Sequence, residues 1–352
     1  MTMNGKMINL EKEIREQPSV LAGVKAANID TIKAIAAEYR ARGLNNIVFA
    51  ARGTSDHASI YAQYLLGIYA GIPAMLATPS VVTVYGSKLK YTGSLVIGVS
   101  QSGKAADVLE IIKLANGDGN LTVALTNNTD SPLAKEAKYH LFCNAGSETS
   151  IAATKTFTSQ CYALALLVAE LSGSKELAEG LEKVPAAVAE LLEYMPTKIE
   201  GFAPRCRHLK AGVVLGRGTA YPIALEGALK VLETNRIKMR GYANSDFYHG
   251  SLAQLFENDL AIVLAAEGPM LSDAIAMINR LNGINAEVLV ISDSDEALSK
   301  SKFALPLPKL GSDALSPFLM AVTMQLLALK LTEVNGIDPD ASKLLNKVTI
   351  TK

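Results

Sequence analysis

The segment 97–107, IGVSQSGKAAD, concentrates more chemistry than any other stretch of this chain. An apolar run over 94–99 ends abruptly in Ser100, Gln101, Ser102 and Gly103, and a helical pattern follows. A strand, a hydroxyl-rich turn and a helix N-terminus in that order offer unpaired N–H groups and a partial positive charge to an anion. No lysine follows in the GxxxxGK[ST] spacing, so the turn is not a nucleotide P-loop. It reads as a cradle for one phosphate monoester, with an ordinary N-cap by Ser100 or Ser102 as the plainer alternative. Gly53-Thr54-Ser55 closes another apolar run, over 46–50. Ligands of open α/β sheets sit at the carboxyl ends of strands, so the two turns meet over one pocket if their strands are neighbours. The loop over 146–155, GSETSIAATK, would come third, or is simply a Ser/Thr-rich loop with a cap.

Groups able to move protons lie in the second half. Glu226, Lys230 and Glu233 fall at i, i+4 and i+7 and share one helical face. They form either a solvated ladder of charges or a carboxylate held beside a lysine and usable as a base. His249, in DFYHG, is one of four histidines. A loop imidazole is a proton donor or acceptor near neutral pH. Lys347 stands five residues from the C-terminus, where a lysine is ordinarily a surface charge.

The elements that must position these groups are legible as alternating short apolar runs and helical stretches, which implies a mostly parallel, doubly wound sheet. In the first half, strands are expected at 46–50, 74–77, 94–99, 121–126 and 140–144. Helices are expected at 56–69, 105–115 and 131–136. Ahead of them 8–42 reads as mostly helical, broken near Pro18. Long helices are expected at 155–172 and 175–194. In the second half, strands are expected at 212–215, 260–265, 287–291 and 303–307, with a helix over 313–334. The chain also repeats itself. Gly53 of ARGTS and Gly218 of GRGTA are 165 residues apart (218 − 53), and Ser102-Gly103 and Glu267-Gly268 share that offset (268 − 103). Each pair follows an apolar strand, which marks a tandem duplication of one α/β unit. The second copy has Glu267 where the first has Ser102, and a carboxylate repels phosphate, so an anion site belongs to the first copy alone. The division expected is a helical segment over 1–42, a first domain over 43–195, a second over 196–335 and a tail over 336–352 that carries Lys347.

Bulk properties narrow the class. The chain has 352 residues, 49% of them hydrophobic, and 34 basic side chains balance 34 acidic ones. Large cores are therefore available, and nucleic acid and anionic membrane are not expected partners through bulk charge. Three separated cysteines, Cys143, Cys161 and Cys206, argue against a disulfide framework or a zinc site and for a reducing, cytoplasmic setting. The first residues lack the apolar core of a signal peptide, and no uncharged apolar run is long enough to predict a membrane span.

Taken together the motifs resemble the SIS (sugar isomerase) family in its duplicated form. The resemblance extends over nearly the whole chain, to the isomerase half of glutamine–fructose-6-phosphate aminotransferase. The helical element Glu13-Ile14-Arg15-Glu16-Gln17-Pro18, the GTS, SQSG and ATK elements, LEGALKVLE, the His249 loop and Gly336 to Lys347 occur in the family's order. Stretches such as Arg52-Gly53-Thr54-Ser55-Asp56-His57-Ala58 and 79–86 are similar to the stand-alone SIS-type glucosamine-6-phosphate deaminases. No glutaminase domain precedes the first unit, so glutamine hydrolysis is not expected. The resemblance implies two tandem doubly wound SIS subdomains and a cofactor-independent aldose–ketose isomerase or deaminase, with no metal. Its implied substrate is an amino-sugar 6-phosphate, foremost glucosamine 6-phosphate, giving fructose 6-phosphate and ammonia. It further implies that Gly53, Thr54, Ser55, Ser100, Gln101 and Ser102 hold the phosphate. A further hydroxyl contact would fall at Ala105, where it is missing. The backbone around Ile151 and Ala153 would line the sugar. Glu233 would shuttle a proton between C1 and C2, His249 would open the ring, Lys230 would steady developing charge, and Lys347 would reach the open-chain sugar, where a Schiff base is conceivable. A homodimer whose active sites are shared between subunits is implied too. A deglycase acting on a fructosamine-6-phosphate conjugate and a non-catalytic sugar-phosphate sensor are the rival readings.

Overall fold

The structure is a computed structural model that describes residues 2–3, 6–341 and 347. Its chain divides by internal contacts into two units. One comprises Ser19–Glu148 and Lys155–Glu182, the other Met1–Pro18, Thr149–Thr154 and Lys183–Lys347.

In the first unit, Asn46–Ala50, Ala74–Leu76, Ser94–Val99, Leu121–Thr126 and Tyr139–Phe142 form one sheet. All neighbours are parallel, and the spatial order is second, first, third, fourth, fifth. Every residue of Ser94–Val99 and Leu121–Thr126 is buried, as strands covered on both faces must be. Val48, Val96 and Ala124 pack with Val108, Ile111 and Ile112 of the helix Ala106–Gly117 to make the core. The helix Lys155–Ser172 is buried over almost its whole length.

The second unit repeats the plan. Ala211–Gly216, Lys238–Ala243, Leu260–Ala265, Glu287–Ser292 and Phe303–Pro306 form a five-stranded parallel sheet in the same spatial order. The helix after the third strand starts at Ala106 in one unit and at Leu271 in the other, again 165 residues apart (271 − 106). The duplication read from two glycine turns therefore holds at the level of topology. In each unit the strand order reverses between the first and third strands, and in open α/β sheets such a switch point places a ligand crevice at the carboxyl ends of those strands.

Two expectations need correction. Lys238–Ala243 was not anticipated as a strand, because Lys238, Arg240 and Gly241 break the apolar pattern. It is an edge strand, where charge is tolerated and protective. The helix expected to end at 194 continues to Phe202 with Pro185 and Pro196 inside it. Its buried stripe of Leu181, Val184, Val188, Leu192, Met195 and Ile199 runs past both prolines, and that packing outweighs the lost hydrogen bonds. The chain passes between the units inside this helix, at 182–183, and again at both ends of Thr149–Thr154. Among the described residues one helix, Ser316–Asn335, is long and apolar enough to cross a membrane by length and composition. However, 83% of its apolar window is buried inside the fold, which makes it a core helix. The break near Pro18 is present, with helices Asn9–Arg15 and Gln17–Ala41 on either side of Glu16.

Candidate active site

In the first unit, the turns at Gly53 and Ser100 leave adjacent parallel strands, with Ala50 paired to Gly98. They therefore meet over the crevice, as the strand-end argument requires. The helix Thr54–Leu65 starts behind Gly53, whose φ of 53° suits glycine, and no side chain caps it. Ser55, buried in its first turn, accepts a hydrogen bond of 3.1 Å from Gln160 Nε2. An accepting hydroxyl keeps its own proton to donate, so the amide turns Ser55 into a donor for a ligand oxygen.

Ser100 N–H donates to Leu125 O at 3.0 Å, and Ser100 O accepts from Gly103 N–H at 3.1 Å. Gln101 O accepts from Asn127 N–H at 2.9 Å. Gly103 has φ 62°, and a Cβ there would lie 2.1 Å from Ser131 Oγ, so no other residue fits the turn. Neither serine caps the following helix. Its N-cap is Ala105, without a side-chain hydrogen bond, and Ser102 Oγ accepts instead from Lys104 N–H at 3.3 Å. The ordinary-cap alternative thus fails. Two helix N-termini and the hydroxyls of Ser55, Ser100 and Ser102 belong to the two loops that flank one crevice.

Sequence reasoning missed the clip between these loops. Arg52 Nε bonds Asp107 Oδ2 at 2.6 Å, with Asp107 buried in the first turn of its helix. The second unit has the same device in Arg217 and Asp273, 2.5 Å apart. A pair retained in both copies serves the architecture of the switch point. The second copy's crevice is different in charge. Glu267 N–H donates to the buried Asp293 carboxylate at 2.7 Å, and Ser316 Oγ donates to the same group at 2.7 Å. Carboxylates line the place where the first copy has hydroxyls.

The acid–base candidates all sit in the second unit. Glu226, Lys230 and Glu233 lie on the helix Tyr221–Asn235, packed along Ser316–Asn335. They are not a solvated ladder. Lys230 Nζ is 3.2 Å from Glu226 Oε1 and 2.6 Å from Glu233 Oε2, and both Lys230 and Glu226 side chains are 2% exposed. Burial works against the ammonium, but the two carboxylates outweigh it and raise the Lys230 pKa above the usual lysine range. Glu233 is the member that reaches solvent, at 23% exposure. It opens on a cleft of ≈ 270 Å³ whose other walls are Thr234, Arg236, Ile337, Asp338, Pro339 and Ala341. Gly241 is why the helix lies so close to its edge strand, since a Cβ there would meet Ala224 O at 2.5 Å.

His249 terminates the short helix Asn244–Tyr248, followed by Gly250 with φ 122°. Its neighbour Phe247 is fully buried and anchors the loop, and His249 itself is exposed. Ile151 and Ala153 are half-buried in the irregular loop Thr149–Thr154. Lys347 is half-buried in a bend, and the rest of the tail beyond 341 lies outside the described residues. The structure thus gathers Glu226, Lys230 and Glu233 around one point, and sets Ser55 and Ser100–Ser102 around another. It keeps His249 on an exposed loop. Among the described residues no three His, Cys, Asp or Glu side chains gather as metal ligands, and the three cysteines are buried free thiols.

Comparison with known proteins agrees with this architecture. The SIS domain family matches residues 42–170 and again 209–333. Over 349 residues the chain is 33% identical to glutamine–fructose-6-phosphate aminotransferase [isomerizing] of Aquifex aeolicus, covering 97% of this chain and 57% of that protein. It thus spans little more than half the length of such curated relatives. The C-terminal domain of glucosamine-fructose-6-phosphate aminotransferase from Francisella tularensis superposes with a TM-score of 0.86. Its sequence is 26% identical, and the match covers 97% of this chain and 100% of that one. Glucosamine-6-phosphate deaminase from Thermotoga maritima superposes at 0.77 with 21% identity, over 97% and 100% of the two chains, which is a likeness of fold. With two sheets of identical strand order, each within a matched segment, the chain belongs to the SIS domain family and carries the domain twice.

Proposed function

We propose that this chain is a sugar-phosphate isomerase that needs no metal or organic cofactor and acts on an amino-sugar 6-phosphate. Glucosamine 6-phosphate is the foremost candidate, with fructose 6-phosphate and ammonia as products. The observation that carries the reading is the buried Glu226–Lys230–Glu233 cluster with one carboxylate turned towards a cleft. A sensor needs an anion cradle but has no use for a buried ammonium holding a partly exposed base. The names of the aminotransferase relatives and of the deaminase point to the same sugar phosphates.

Such a substrate asks for an anion cradle and a base beside C1 and C2. The first unit supplies the cradle through Gly53, Thr54, Ser55, Ser100, Gln101 and Ser102. Phosphate there takes hydrogen bonds from hydroxyls and helix N–H groups. In the second unit, His249 gives a proton to the ring oxygen while the C1 hydroxyl loses one, and the ring opens to the aldehyde. Glu233 takes the proton from C2, and the aldehyde oxygen is protonated, leaving an enolamine. Glu233 returns the proton to C1, which gives the iminium at C2. Water adds at C2 and ammonia leaves, which yields the ketose. Lys230 keeps its charge through this sequence, holds the Glu233 carboxylate by a hydrogen bond of 2.6 Å and steadies the negative charge that develops on the sugar as the C2 proton leaves, before O1 is protonated. Lys347 is assigned to the open-chain sugar.

A second reading is favoured by the cleft beside Glu233. Arg236 and Asp338 on its walls present a cation and an anion to any substituent on the sugar amine, which suits a deglycase of sugar–amino-acid conjugates. Three free thiols suit a reducing compartment, and we place the protein in the cytoplasm. The exposed His249 suits a homodimer in which each loop completes the partner's site. The assay is release of ammonia and fructose 6-phosphate from glucosamine 6-phosphate. Stoichiometric release supports the deaminase, whereas turnover confined to a fructosamine-6-phosphate conjugate selects the deglycase. Mixing Glu233→Gln and His249→Ala chains tests the shared site. Heterodimers recover part of the activity if the loop acts in trans, and verified heterodimers without activity refute it.

A further inference from the structure

The helical element that opens the chain, Glu13 to Pro18, has no part in the chemistry above, yet it holds a buried carboxylate. Glu13 is 3% exposed in the helix Asn9–Arg15, and among the described residues no cation pairs with it. All its partners are neutral donors from two successive residues. Thr149 N–H and Oγ1 bond Oε1 at 2.5 and 3.1 Å, Ser150 N–H bonds Oε1 at 3.2 Å, and Ser150 Oγ bonds Oε2. Burying a carboxylate costs several kcal/mol unless such bonds replace its water. A neutral residue would be cheaper, so the charge has a use. Successive N–H groups drawn to one anion curl the backbone into a concave turn. The other end of the same loop is tied as well. Gln325 Nε2 bonds Thr154 O at 3.4 Å, and Gln17 Nε2 orients that amide by bonding Gln325 Oε1 at 2.8 Å.

The loop between these ties has no regular secondary structure, so its shape comes from side chains. We propose that Glu13 is a positioning residue of the active site. Its carboxylate fixes the start of Thr149–Thr154, so that the Ile151 and Ala153 backbone stands ready for the sugar. The proposal rests on the reading of that loop as sugar-lining. It gives the N-terminal element a function at the site: an internal anion shapes a substrate loop.

The test uses Glu13→Gln in the full chain, whose amide cannot accept from all four donors. Two readouts are taken: hydrogen exchange at the Thr149 and Ser150 amides, and turnover of glucosamine 6-phosphate with inorganic phosphate as competitive inhibitor. The proposal expects protection of those two amides to be lost. It also expects kcat to fall by between about ten- and a hundred-fold, as misplacement of about 1 Å does. The inhibition constant for phosphate should stay put, since its cradle lies in the other unit. Ser150→Ala, which keeps the charge and both backbone bonds, should show a smaller loss of roughly three-fold that is not additive with Glu13→Gln. It serves in place of Glu13→Gln if that variant does not fold. A folded Glu13→Gln with wild-type exchange, or with wild-type kcat, overturns the proposal. If the wild type does not turn over glucosamine 6-phosphate, the functional reading fails, and hydrogen exchange alone decides whether Glu13 shapes the loop.

Discussion

Lys230 is the residue on which the proposed chemistry and the stability of the second unit meet. Its ammonium lies between Glu226 and Glu233 with both its own and the Glu226 side chain 2% exposed. Removing one member of a buried ion pair strands the other, at a cost of about 3–5 kcal/mol. Lys230→Met should therefore lower the unfolding free energy by that amount in denaturant titration, and Glu226→Gln added to it should restore a good part. The pH dependence has a definite sign. The folded pKa of Lys230 is raised above the usual 10.5, so its stabilising effect is complete below that value and disappears as pH climbs through the folded pKa. Alkaline titration of stability should show a loss above about pH 10.5 in the wild type that is missing in Lys230→Met.

Helices and strands set the distances at which these side chains act. Gly241 on the edge strand lets the Tyr221–Asn235 helix approach to a separation no Cβ tolerates, with Ala224 O at 2.5 Å and Leu225 Cα at 2.6 Å. Both obstacles are backbone, so Gly241→Ala must shift the helix that carries Glu226, Lys230 and Glu233. Overpacking of this kind costs about 1–3 kcal/mol, and thermal unfolding of the variant should start correspondingly earlier, with kcat lowered alongside. The strand that bears Gly241 was invisible to periodicity, because an edge strand with Lys238 and Arg240 lacks the apolar run that marks its buried neighbours. In the two five-stranded sheets the other nine strands were legible as short apolar runs, nearly pure in covered central strands such as Ser94–Val99 and Leu260–Ala265. The turn Ser100-Gln101-Ser102-Gly103 at a strand end was legible too. Burial of the Glu226–Lys230 pair was not, because i, i+4 spacing is the same on a wet face and a dry one. Glu13 and Gln160 escaped as well, since their partners, Ser150 and Ser55, are distant in sequence.

At the scale of the whole chain, the proposed function divides the labour between the two copies. Both copies keep the strand order and the Arg–Asp clip, Arg52–Asp107 in one and Arg217–Asp273 in the other. The first keeps the hydroxyl turn, and the second has replaced it with Glu267 beside Asp293 while placing the base on the helix after its first strand. An anion cradle in one copy and a proton shuttle in the other is the central claim. It is tested most directly by exchange of the C2 proton of glucosamine 6-phosphate in deuterated water, followed by NMR for the wild type and for Glu233→Gln. The account predicts that the wild type carries solvent deuterium into the sugar. Glu233→Gln should lose that exchange by about 10²–10⁴-fold, the usual worth of a general base, while still binding the sugar phosphate. Undiminished exchange in Glu233→Gln would contradict it.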